Sequence, residues 1–113
     1  MPSLSLRINL DPAGRIGPGK IELLENIAAY GSISAAARNM DMSYKHAWDL
    51  VDEMNLLFGK PLLSAQTGGR RGGGAQLTSL GLSVISRFRA IEKAATAAAA
   101  AHMAALQAEI EAA

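Results

Sequence analysis

The chain has 113 residues, a length that closes one modest hydrophobic core and would be cramped as two independent domains. It has no cysteine, which excludes a disulfide scaffold, zinc sites built on thiolates and cysteine nucleophiles. Eleven Lys and Arg against ten Asp and Glu give a formal net charge of +1, so the chain as a whole is not a polycation. Most enzyme classes are hard to support from such an inventory, and we predict that the protein is not an enzyme.

No stretch has the character of a targeting or membrane segment. Residues 1–10 lack the basic region and long apolar run of a signal peptide. Residues 94–101 are apolar, but alanine is too weakly hydrophobic and the run too short to cross a bilayer. We therefore expect a cytoplasmic protein that does not contact a membrane.

The first part of the chain predicts a short strand followed by two helices. Apolar residues alternate with polar ones over residues 4–8, the period of a half-buried strand. Residues 18–30 predict a helix that Gly31 ends, and a second, short helix begins near Ser32 or Ser34. The apolar face predicted for the first helix comprises Ile21, Leu24, Ile27 and Ala28.

A third helix, a hairpin and a long final helix follow. Ser43 is a good N-cap for a helix over residues 43–58, and Gly59 ends it. Residues 61–65 and 75–77 predict two short strands around a glycine-rich link. Thr78 then caps a helix that runs towards the C-terminus.

This order of elements is typical of a winged helix-turn-helix. The predicted fold class is mainly α with a small β wing, extended by a long C-terminal helix. We divide the chain into a DNA-binding domain over residues 1–77 and an alanine-rich dimerisation helix over residues 78–113.

The outward face of the third helix carries the residues that predict DNA recognition. Ser43, Tyr44, Lys45 and Trp48 cluster on its first turns, where a recognition helix meets base edges in the major groove. A helix N-terminus also favours a phosphate. Acidic residues begin at Asp49, where a tilted helix would leave the groove. The alternative is that Tyr44 and Trp48 are half-buried packing residues with polar tips.

The basic residues concentrate around the predicted wing, residues 67–75. Residues 60–93 hold six Lys and Arg against one acidic residue. Arg70 and Arg71 lie between glycines that allow the backbone to approach DNA closely, and arginine suits phosphates and a narrow minor groove. The alternative is a solvated basic loop without a partner.

No other group of residues in the sequence predicts a metal, catalytic or cofactor site. His46 and His102 are the only histidines and have no partner motif, so we predict no metal site. No catalytic triad can be nominated and no cofactor is expected.

The final helix predicts a homodimer. Apolar residues recur on it at steps of three and four, and a helix this long extends beyond any core that the domain supplies. Two-fold symmetry would then place two recognition helices on a near-palindromic operator in duplex DNA. The alternative is a frayed, solvated alanine helix. The predicted dimerisation residues are Phe88, Ile91, Ala95, Ala99, Met103, Leu106 and Ile110.

A set of motifs resembles the N-terminal DNA-binding domain of the molybdate-responsive (ModE-type) regulators, relatives of the LysR-type winged helix. They are Gly31-Ser32-Ile33-Ser34, Ser43-Tyr44-Lys45-x-Ala47-Trp48-Asp49, Glu53-Met54-Asn55, Thr67-Gly68-Gly69, Gly72-Gly73-Gly74-Ala75 and Leu77-Thr78-x-x-Gly81. The resemblance covers about residues 15–93 and implies a dimeric repressor or activator whose segment 43–48 reads the major groove. The DNA-binding residues predicted in all are Ser34, Ser43, Tyr44, Lys45, Trp48, Arg70 and Arg71.

The chain also departs from that family. Full-length members carry C-terminal oxyanion-binding domains, whereas an alanine-rich helix follows the shared region here, so we do not expect this chain to bind molybdate. The second functional interpretation is a protein-interaction module that dimerises with a full-length regulator and modulates it. A footprint made by the purified protein alone would separate the two interpretations.

Overall fold

The computed structural model describes residues 1–12, 14–66 and 74–112, and the predicted fold class is confirmed. Two hairpins flank a three-helix unit, and a long helix completes the chain. The elements are β1 (Ile8–Leu10), β2 (Gly14–Ile16), α1 (Pro18–Tyr30), α2 (Ile33–Asn39), α3 (Tyr44–Phe58), β3 (Leu63–Gln66), β4 (Gly74–Leu77) and α4 (Ser79–Glu111). The predicted wing arginines, Arg70 and Arg71, lie outside the described residues.

Local capping signals set the helix ends. The side-chain oxygens of Ser32, Ser43 and Thr78 each accept a hydrogen bond from the backbone N–H three residues later, at 3.0–3.2 Å. These bonds satisfy first-turn donors of α2, α3 and α4. Gly31 and Gly59 end α1 and α3 with φ values of 74° and 67°, a left-handed conformation that glycine adopts without strain. The predicted caps are confirmed.

The first strand lies later in the chain than its alternation predicts. β1 begins at Ile8 and pairs antiparallel with β2, with Ile8 opposite Ile16 and Leu10 opposite Gly14. Leu4 and Leu6 precede the strand. A strand needs a hydrogen-bonding partner, and the helix that begins at Pro18 leaves only residues 14–16 for that purpose.

The core has two clusters with α1 between them. Leu23 and Ile27 pack with α2, α3 and β4, whereas Ile21 and Leu24 pack with β2, α3 and α4. All four side chains are fully buried, so α1 is covered over a wide arc. The prediction that Ala28 belongs to this buried face is wrong: Ala28 is exposed and Leu23 takes the inner position, because α1 is covered from two sides.

A tight turn joins α2 to α3. Asp41 adopts a left-handed backbone with φ 54°, which aspartate tolerates better than most residues. Its N–H donates to the carbonyl of Arg38 at 3.2 Å, and the N–H of Met42 donates to the carbonyl of Ala37 at 3.0 Å. This bond pair is a Schellman motif, which ends α2 and turns the chain directly into Ser43.

α4 projects away from the core. At about 1.5 Å per residue its 33 residues span roughly 50 Å, and the whole molecule measures 60 × 30 × 20 Å. Its buried residues, Gly81, Val84 and Phe88, all lie in its first third. No helix in the described parts of the chain is long and apolar enough to cross a membrane.

Candidate nucleic-acid interface

The N-terminal turns of α3 present an aromatic pair. The rings of Tyr44 and Trp48 meet edge to face, with centroids 6.4 Å apart. Trp48 is half-buried and packs against the cluster formed by α1, α2 and α3, whereas Tyr44 is exposed. Trp48 is therefore a half-buried packing residue, as the alternative interpretation has it, whereas Tyr44 is open to solvent, and the DNA-binding role of both stays a prediction.

Lys45 lies beside this pair and is bound to an acidic side chain. Its Nζ is 2.9 Å from Oδ2 of Asp49, one turn further along α3. Both side chains remain largely in solvent, with exposed fractions of 85% and 52%. The ammonium and the carboxylate thus lie together on the open face of the helix.

α2 contributes a hydroxyl next to α3. Oγ of Ser34 accepts a hydrogen bond from a guanidinium N–H of Arg38 at 3.0 Å. A serine hydroxyl has its own hydrogen to donate, so Ser34 can still serve an acceptor such as a phosphate oxygen. The arrangement also holds an exposed guanidinium on the same helix.

A cleft of about 420 Å³ separates the helix-turn-helix from the β3–β4 hairpin. Three of the predicted DNA-binding residues line it, namely Ser34, Tyr44 and Trp48, together with the backbone at the base of the hairpin. The full lining is Ser32, Ile33, Ser34, Tyr44, Trp48, Asn55, Leu63, Ala65, Gly74 and Ala75.

Hydrogen bonds that the sequence pattern does not reveal fix the hairpin to the helices. The N–H of Ala75 donates to the carbonyl of Gly31 at 2.8 Å, and the N–H of Leu62 donates to Oδ1 of Asn55 at 2.9 Å. The carbonyl of Leu62 accepts from the N–H of Thr78, also at 2.9 Å. Asn55 is therefore a positioning residue, and the amide in the Glu53-Met54-Asn55 motif was the one sequence signal for it.

The predicted DNA-binding residues thus fall into three groups. Ser34, Tyr44 and Trp48 meet at the cleft, while Ser43 caps α3 at the same end. Lys45 lies next to them on the outer face. Arg70 and Arg71 lie outside the described residues, so their place relative to the cleft stays a prediction.

An ion-pair network joins the start of the domain to the long helix. The Arg89 guanidinium on α4 donates to both carboxylate oxygens of Glu25 on α1, at 3.1 and 2.6 Å, and to Glu92 at 2.6 Å. Hydrogen bonds to Glu25 and then to Glu92 raise the pKa of Arg89 above its ordinary value. This two-point contact with Glu25 joins α4 to α1, in addition to the buried Val84 and Phe88.

A second, almost wholly apolar groove of about 250 Å³ runs between the first hairpin and α4. Ile8 and Leu10 form one side, and α4 forms the other up to Ile91. Phe88 is only 2% exposed and belongs to the chain's own core, so the exposed part of the predicted dimerisation stripe begins at Ile91. Further along, Leu106 and Ile110 are each 70% exposed.

No group of three or more acidic or histidine side chains in the described residues could hold a metal ion. His46 is exposed at the start of α3, and His102 is exposed on α4.

Comparison with known proteins agrees with this architecture. Residues 19–82 match the bacterial regulatory helix-turn-helix proteins of the lysR family. The chain is 46% identical over 93 residues to the molybdenum-pterin-binding protein MopA of Rhodobacter capsulatus, covering 80% of this chain and 35% of that protein. It is 40% identical over 88 residues to the transcriptional regulator ModE of Haemophilus influenzae, covering 78% of this chain and 34% of that protein.

A third relative is the DNA-binding transcriptional dual regulator ModE of Escherichia coli, at 46% identity over 71 residues, or 63% of this chain and 27% of that protein. The chain thus spans about a third of the length of the curated relatives it matches. The matched family and both ModE proteins are described as regulators, which confirms the prediction that the chain is not an enzyme. The resemblance to ModE-type regulators is confirmed as well.

Proposed function

Since this chain belongs to the bacterial regulatory helix-turn-helix proteins of the lysR family, we propose that it binds duplex DNA at a specific sequence and regulates transcription there. The observation that carries the proposal is the cleft at the N-terminal end of α3, where Ser34, Tyr44 and Trp48 meet beside an exposed Lys45. Two of the relatives are themselves described as transcriptional regulators.

α3 is the recognition helix in this proposal. The edge-to-face contact with Trp48 restrains the exposed Tyr44 ring, which lowers the entropy cost of ordering it on DNA. Lys45 on the first turn has the length and the three donors to reach acceptors on a base edge. Ser43 keeps the first turn of α3 intact, because its side chain already satisfies one backbone donor there.

In this proposal the cleft next to α3 receives the sugar-phosphate backbone of one DNA strand. A strand that borders the major groove would pass between the recognition helix and the hairpin, with the Ser34 hydroxyl available to a phosphate. The wing, residues 67–75 in the prediction, would then place Arg70 and Arg71 on the backbone or in the adjacent minor groove.

We further propose that two copies act together. The apolar groove beside α4 reaches Ile91, where the exposed stripe of the distal helix begins, so the two form one continuous apolar surface. A second copy would cover this surface and relate two recognition helices by a two-fold axis. Helices about 34 Å apart would meet successive major grooves of a near-palindromic operator.

The test is selection of genomic DNA fragments on the purified full chain, followed by footprinting of the best site. We expect a protected, near-palindromic sequence. If the chain alone protects no site but alters the footprint of a full-length regulator, the protein-interaction interpretation replaces this one. The prediction that the chain binds no molybdate is separate, and heat released on titration with molybdate would contradict it.

A single substitution then tests the role of α3. Lys45→Ala is expected to cost about 1–3 kcal/mol at the best site and to relax specificity there, as loss of a base contact does. Lys93→Ala removes the same charge from an exposed position on α4 and should leave the preference unchanged. If Lys45→Ala lowers the affinity for specific and random DNA equally, Lys45 contacts only phosphates.

A further inference from the structure

We propose that Asp49 sets the sequence discrimination of α3 by keeping the Lys45 ammonium from pairing with DNA phosphates. Asp49 would be a specificity-determining residue that acts through Lys45. The inference rests on the proposed function, because it requires α3 to enter the major groove.

The Lys45 ammonium and the Asp49 carboxylate form one ion pair on α3. The Nζ of Lys45 is 2.9 Å from Oδ2 of Asp49, and the side chains are four residues apart on the exposed side of α3. Among the described residues Lys45 has no other acidic partner, and this pair is the one ion pair on the first turns of the helix. The cation that the proposal brings to DNA therefore already has an acidic partner in the free protein.

This pair is easily opened. Both side chains are more than half exposed, and exposed ion pairs are screened and contribute little to stability. The lysine is also N-terminal to its acid, which is the weaker order for such a pair on a helix. Asp49 thus restrains Lys45 without locking it, and a better acceptor can replace the carboxylate.

The pair distinguishes phosphates from base edges by charge. A phosphate that approaches Lys45 also approaches the Asp49 carboxylate, so part of its attraction to the ammonium is cancelled by repulsion. A base edge has neutral acceptors and does not meet this repulsion. Since phosphates are present at every sequence and base-edge patterns are not, Asp49 weakens random binding more than specific binding.

Asp49→Asn tests the proposal, because it removes the charge and keeps the shape of the side chain. We expect random duplex to bind several-fold more tightly, with a salt slope steeper by about one unit for the additional phosphate contact. Affinity for the selected site should change less, so the ratio of specific to random affinity falls. In a Lys45→Ala background the same substitution should produce little of this gain.

Asp52→Asn is the matched control. It removes an equal charge from the exposed surface of α3, and Asp52 has no ion pair with the described residues. Equal effects of the two asparagine variants would show that only bulk charge matters and would overturn the proposal. So would a gain that persists without Lys45, or a loss at the selected site that marks Asp49 as a base contact. If the unaltered chain prefers no sequence, the proposed function itself fails, whatever Asp49→Asn does.

Discussion

Gly81→Ala should destabilise the protein because α4 passes very close to the chain that leads into the wing. A Cβ at this position would clash with the carbonyl oxygen of Leu62. That carbonyl cannot easily retreat, since it accepts from Thr78 while the N–H of Leu62 donates to Asn55. Leu62 is itself fully buried, so the clash falls on fixed backbone rather than on a flexible side chain.

Two effects of opposite sign set the size of the change. Alanine is better than glycine inside a helix by about 1 kcal/mol. Overpacking of a well-packed core costs about 1–3 kcal/mol, and a contact this short against backbone belongs at the upper end. We expect a net loss of about 2 kcal/mol in the free energy of unfolding, or roughly 8 °C in melting temperature for a domain of this size.

Urea and thermal unfolding followed by circular dichroism measure this loss, at one protein concentration because dimerisation would make the midpoint concentration-dependent. Gly19→Ala is the control. Gly19 lies in the first turn of α1, and a Cβ there meets no atom within 4 Å, so only the helix preference acts and the variant should be slightly more stable. If Gly81→Ala is as stable as the unaltered protein, the close approach of α4 to Leu62 does not restrict this position.

Three further predictions concern the wing, the ion-pair network and the distal helix. Arg70→Ala with Arg71→Ala should weaken binding to every duplex and lower the salt slope by about one unit per lost phosphate contact; an unchanged slope would contradict a backbone role. Arg89→Gln removes the cation between Glu25 and Glu92 and should lower the free energy of unfolding in urea by about 1 kcal/mol, a small value because these side chains are partly exposed. An unchanged urea midpoint would show that the network does not stabilise the protein. Truncation after Glu92 should give a folded monomer with much weaker operator binding, and a dimer in light scattering would place the interface elsewhere.

The helix ends could be predicted because their causes are local. Ser32, Ser43 and Thr78 bond to N–H groups three residues away, and Gly31 and Gly59 adopt a backbone conformation that few other residues accept. Such signals depend on the chain within one helical turn, so they can be read without knowing what packs against it.

The predictions that failed or were incomplete depend on distant parts of the chain. Leu23 is buried because a second cluster covers the other side of α1, which periodicity on one face cannot show. Phe88 is buried in the core of its own chain, although its spacing from Ile91 along α4 fits the predicted dimerisation stripe. For Asp49, the i,i+4 spacing from Lys45 was visible, but its meaning depends on which charges meet at the exposed face.

Leu62 lies where three elements of the fold meet. Its N–H is bound to α3 through Asn55, its carbonyl is bound to the residue that caps α4, and β3 begins at the next position. α3, the β3–β4 hairpin and α4 are thus connected within one residue of backbone. The hydrogen bonds from Arg89 to Glu25 add a second connection, between α4 and α1. If α4 joins two copies, the contacts at Leu62 and at Arg89 couple the orientation of α4 in the dimer to the orientation of α3. The distance between the two half-sites on DNA would then depend on contacts that do not touch DNA.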